Sequence, residues 1–138
     1  MVSGHIIEES RLIKHHEGHA IHTVSIDGIV HPMGYRVVRE DMSSLGLRHN
    51  LNTLVYPFRE WLHLPDEQLH DGAQDWGGIW VARTQSGAQT LKDYMLTENT
   101  QHPPIQTRIF KAALDSILYG NSYRIKTSGI FLYEELLP

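Results

Sequence analysis

The chain has no cysteine at all. That excludes disulfides, thiolate nucleophiles and cysteine-based zinc sites together, and it fits a reducing compartment. Long apolar runs are missing too. The longest, such as Gly129-Ile130-Phe131-Leu132-Tyr133, have four or five residues, where a spanning helix needs roughly 20. An excess of basic charge is also absent: 12 Lys and Arg stand against 16 Asp and Glu, for a net charge of −4. Neither half, divided after Leu69, carries a basic surplus, with 6 basic and 9 acidic residues in the first and 6 and 7 in the second. Bulk nucleic-acid binding is therefore not expected. The opening Met1-Val2-Ser3-Gly4-His5 has no basic stretch followed by an apolar one, so neither a secretory signal nor a membrane role is expected and the expected location is cytoplasmic. There is no Gly-x-Ser-x-Gly elbow, no His-Glu-x-x-His pair and no Gly-rich phosphate loop.

What remains is an ordinary globular composition. With 138 residues, 41% of them apolar and 20% charged, the chain reads as one domain over 1–138 able to bury a core without covalent staples. Residues 1–18 stand apart as an N-terminal arm or short helix, because the apolar pairs at 6–7 and 12–13 are followed by Gly18. Ten histidines are unusual, and His15, His16, His19 and His22 fall within eight positions. At ordinary imidazole values, near pH ~6.5, such a segment gains charge as pH falls.

The pattern predicts an α+β fold, a mostly antiparallel curved sheet with one helix packed on it. Asp27-Gly28 between β-branched runs is a hairpin turn of the I′ type, pairing Ile26 with Ile29, Val24 with His31 and His22 with Met33. Pro32 and Gly34 predict a bulge in the return strand. Further strands are expected at Leu51–Tyr56, at Gly78–Arg83 and in three stretches between Ile105 and Glu134. The segment 60–64 reads as strand or helix, and 66–76 as an exposed loop. The helix is expected over Gln85–Thr97, capped by Thr84, with Ala88, Leu91 and Met95 on its buried face.

Three constellations could carry chemistry. His22 and His31 would be diagonal neighbours on one face of the hairpin, within reach of a common metal ion; the alternative is solvated or partly buried rings. Arg36, beside Tyr35 on an apolar strand, needs an anionic partner if buried. That partner is either a ligand or an internal Glu40, Asp41 or Glu60. The run from Asp75 to Thr84 places Trp76 and Trp80 as an aromatic wall leading to a helix N-terminus at Thr84, a position that attracts anions. The competing explanation is a tight turn and a core tryptophan.

The order of these pieces is similar to that of the ADP-ribosyltransferase-like domains. Those have an early strand carrying His, Tyr or Arg, a middle strand ending in Ser or Thr before a helix, and a late Glu. The counterparts here are Tyr35-Arg36, then Ile79 to Thr84 ahead of the helix with Tyr94, then Glu134 or Glu135, spanning residues 33–135. The resemblance implies Arg36 on the phosphates of NAD, Thr84 beside the ribose, and the late Glu polarising the nicotinamide ribose for transfer. Apart from it, the residues themselves suggest a small anionic ligand or nucleotide held by Tyr35, Arg36, Trp76 and Trp80. A non-catalytic interaction module and a histidine-metal protein stay open as other classes, as does a homo-oligomer.

Overall fold

A computed structural model describes residues 4–45, 54–97 and 106–137. Among these the chain forms a mostly antiparallel sheet of nine strands and one α-helix. The strands are β1 (Ile7–His16), β2 (His19–Ile26), β3 (Ile29–Arg39), β4 (Trp61–His63), β5 (Ile79–Ala82), β6 (Thr107–Leu114), β7 (Ile117–Gly120), β8 (Arg124–Thr127) and β9 (Gly129–Leu136). The helix is α1 (Gln85–Thr97), and a 3-10 turn lies at Asp66–Gln68. The long path across the sheet runs β4-β9-β6-β3-β5-β8-β7, and β1 joins it through β2, which pairs with β3. No helix among the described residues is long and apolar enough to cross a membrane.

The Asp27-Gly28 hairpin forms with Val24 opposite His31 and Ile26 opposite Ile29. Both turn residues have positive φ, 52° and 85°, as the I′ geometry requires. The same device recurs one turn earlier, where Glu17 and Gly18 have φ of 49° and 83°. The segment expected as an arm or helix is therefore strand β1, returning along β2 with Ile7 opposite Ile26 and His16 opposite His19. A register shift between Ser10 and Ile13 breaks the alternation that would have marked it as a strand.

No bulge follows Pro32, and His22 does not pair with Met33. Instead β3 changes partner there: Thr23–Pro32 is its last pair with β2, and Met33–Ala113 its first with β6. A residue without an N–H fits a point where one ladder ends and another begins. His22 faces Ile13 of β1 instead. The segment 60–64 resolves to the short strand β4, paired with β9. Of the strand expected over Leu51–Tyr56, residues 51–53 lie outside the described residues, and Val55 makes only an isolated bridge to Ser43.

Alternation along the strands divides the core. Val38, Phe110, Ile79, Val81, Ile125 and Leu132 join one cluster that draws on β2, β3, β5, β6, β8 and β9, so the sheet curls around it. Val37 and Ile109, opposite each other in the β3–β6 register, point the other way and receive Ala88 and Met95 of α1. Ala88 and Met95 are fully buried, as expected, while Leu91 is half-buried beside them.

Candidate functional site

The site begins with a defect in the sheet. Strands β3 and β5 share a single bridge pair, Tyr35 with Ala82, and separate on either side of it. Gly34 allows the crossing to be close: a Cβ there would lie 2.6 Å from Val81 Cγ2 and 3.0 Å from the Ala82 carbonyl oxygen. Past the crossing the Trp80 carbonyl has no ladder partner from β3. Arg36 supplies one, donating from Nη1 to the Trp80 carbonyl at 2.8 Å and from Nη2 to the Tyr56 hydroxyl at 2.9 Å. The Tyr56 ring lies under the guanidinium, 4.7 Å from Cζ to centroid. Arg36 Nε is buried with no hydrogen-bond partner. Among the described residues no carboxylate forms an ion pair with Arg36, so the internal pairing with Glu40, Asp41 or Glu60 does not occur.

This splayed seam opens into a cleft of about 730 Å³, and Tyr35, Arg36, Trp76, Trp80 and Thr84 all line it. Thr84 caps α1 as its sequence position suggests: its Oγ1 accepts the Gly87 N–H at 3.0 Å and its carbonyl accepts the Ala88 N–H at 3.1 Å. Ser86 and Gly87 bring the first turn of the helix to the wall, with Thr90 of the next turn beside them, and with it the positive end of the helix dipole. Trp76 is 55% exposed and meets His70 at 4.7 Å between ring centroids. Trp80 is held more firmly. Its Nε1 donates to the Asp75 carbonyl at 3.1 Å, and the Arg124 guanidinium stacks on its ring at 3.9 Å.

The loop carrying Trp76 is pinned from below. Lys126 is fully buried on β8, and its Nζ donates to the carbonyls of Gln74 at 3.2 Å and Trp76 at 3.1 Å. Three successive carbonyls, 74 to 76, thus accept from side chains of β5 and β8. Burial pushes the Lys126 ammonium below its usual range, opposed by the field of Asp71 and Asp75. Gly78 leaves room for the lysine stem, since a Cβ there would fall 2.5 Å from Lys126 Cγ.

The remaining site candidates lie elsewhere. Glu134 is exposed and sits 3.6 Å from Lys111, while Glu135 forms a two-pronged pair with Arg108 at 2.8 and 2.9 Å; neither is among the described residues lining the cleft. The hydrogen bond from Arg108 holds the Glu135 carboxyl below its ordinary value. Lys111 also binds Glu9 at 2.6 Å, tying β1 to the sheet and lowering the Glu9 carboxyl. His22 is exposed, and His31 packs on the Trp61 ring at 4.8 Å, where burial lowers its basicity. Among the described residues no group of three or more His, Asp or Glu side chains is placed to hold a metal ion, so the pair gains no third ligand there.

Sequence reasoning missed Arg124, Tyr56 and Lys126. Strand alternation at 122–126 puts Arg124 and Lys126 on one face, which was a usable signal. Nothing local points Tyr56 at Arg36. Comparison with protein-family models, with curated proteins and with solved structures finds no match to this chain.

Proposed function

We propose that the protein binds a small anionic molecule or nucleotide in this cleft, with Arg36 as the charged fork, the α1 N-terminus as a second attraction and Trp76 and Trp80 as the apolar wall. One observation carries the reading: a half-buried arginine on an aromatic-lined cleft has no carboxylate partner among the described residues and keeps an unused buried N–H. Partial burial of an uncompensated cation is costly, and an incoming carboxylate or phosphate offsets that cost through charge-assisted hydrogen bonds. A group-transfer step would need an acid or base at the guest. The late glutamates are outside the described lining and Asp75 is the one carboxylate within it, so the glutamate that the transferase resemblance calls on is not at this cleft, and the reading concerns binding alone.

The test is a fluorescence titration with 1-anilinonaphthalene-8-sulfonate, a sulfonate on a planar apolar body. Saturable binding is expected, weakened at least about tenfold in Arg36→Met, given ~1.5–3 kcal/mol for a charge-assisted hydrogen bond. Because Arg36 also holds the Trp80 carbonyl, the variant is first checked for folding by circular dichroism. Equal affinity in a folded Arg36→Met protein would remove the main support.

A further inference from the structure

We infer that the guest carries a single anionic group on a large apolar body, a monocarboxylate amphiphile rather than a polyphosphate. This rests on the cleft being an anion site and narrows what the anion is. Among the described lining residues the charged side chains are Arg36, Arg124 and Asp75. Arg124 Nη2 and Asp75 Oδ1 are 3.8 Å apart, so their charges offset each other. Among the described lining residues that leaves one cation, Arg36, without a carboxylate. Lys126, a further cation beneath this wall, spends its ammonium on the carbonyls of Gln74 and Trp76 and is fully buried.

The first anionic oxygen pair of a guest would meet Arg36. Each further phosphate would meet no second uncompensated cation among the described residues, would approach Asp75, and would enter a chain whose net charge is already −4. Nor does the sequence offer the Gly-rich backbone cradle that folds use for polyphosphates. The volume argues the same way. A cleft of about 730 Å³ with Leu45, Leu54, Leu64 and Leu91 in its walls and Tyr94 and Trp76 beside them is far larger than one phosphate or carboxylate needs. Apolar surface of that kind gains by covering apolar surface. A head at Arg36 and a body along the leucines and aromatic rings satisfies both halves of the lining.

The experiment displaces 1-anilinonaphthalene-8-sulfonate from the full chain with laurate below its micelle threshold, dodecanol, ADP and inorganic phosphate. Vesicles of phosphatidylglycerol serve as a membrane-borne form of the same chemistry. Laurate is expected to compete at a concentration at least about tenfold below ADP or dodecanol, with phosphate inert. Two variants should weaken laurate: Arg36→Met, and Ser86→Glu, which adds a charge that a helix N-terminus tolerates at an exposed cleft position. The second keeps the test open if the first does not fold. Competition by ADP at or below the laurate concentration, with dependence on Arg36, overturns the amphiphile and leaves the anion site standing. Dodecanol matching laurate overturns it through the head group, and vesicles competing where free laurate does not overturns the free acid. If neither the sulfonate nor any competitor binds, the anion site falls too.

Discussion

Replacing Gly34 by alanine probes the seam from which the cleft opens. Gly34 is buried where β5 crosses β3, and the added methyl would stand 2.6 Å from Val81 Cγ2 and 3.0 Å from the Ala82 carbonyl oxygen. Val81 is 3% exposed within the main core, so it has little room to retreat, and the second contact is backbone. Its φ lies outside the left-handed region, which leaves contact as the only source of strain. Overpacking of this kind costs about 1–3 kcal/mol. Alanine regains roughly 0.5–1 kcal/mol by restricting the unfolded chain. The net expectation is a loss of about 1–2 kcal/mol. With a urea slope of about 1–3 kcal/mol/M, the midpoint should fall by roughly 0.5–1 M at unchanged slope. Sulfonate affinity should fall with it, because a wider crossing moves Arg36 away from the Trp80 carbonyl. A Gly34→Ala protein as stable as the original, or more so, would mean that the two strands are not in contact there, and the account of the cleft would fail with them.

Two further outcomes follow from packing and charge. Met95→Ala, at a fully buried position on α1, should cost about 2–5 kcal/mol, and Leu91→Ala, half-buried on the cleft wall, about 1–2 kcal/mol. Urea unfolding of both variants would contradict this helix orientation if the order were reversed. Glu9 and Glu135 have carboxyls lowered by Lys111 and Arg108, so their contribution is complete above the unfolded value, about pH 4.3, and disappears as pH falls through the lower folded values. Melting temperature should therefore drop below about pH 4.5. Glu135→Gln should lose about 1 kcal/mol at neutral pH and show a shallower acid decline; an unchanged acid profile would show that the pair with Arg108 is inert.

What was legible in the sequence depended on how local its cause was. The helix Gln85–Thr97 carries its own cap and its own apolar spacing, and it appears with the expected bounds. The Asp27-Gly28 hairpin is likewise written in two adjacent residues. Strand β1 was hidden because its shift between Ser10 and Ile13 disrupts the period of two, and Glu17 is an unusual residue at positive φ. The partner exchange at Pro32 depends on β6, some eighty residues further on, so sequence suggested a bulge instead. The same reasoning applies to the cleft. Arg36, Thr84, Trp76 and Trp80 were each recognisable from their neighbours, and the structure brings all four to one cleft. Tyr56 and Lys126 matter only through contacts with distant backbone and side chains, and Glu134 was placed by analogy of order, which does not fix where a side chain lies.

The most direct test of the central claim is a map of where an anion binds. Amide and indole resonances of the isotopically labelled chain would be followed as 1-anilinonaphthalene-8-sulfonate is added. The expected shifts gather on the Trp76 and Trp80 indoles and on the amides of Arg36, Ser86 and Gly87, residues that share the cleft walls, and they weaken in Arg36→Met. Shifts gathered instead around the His31–Trp61 contact or along the exposed β1 strand, with the cleft residues unmoved, would contradict the assignment of this cleft as the binding site.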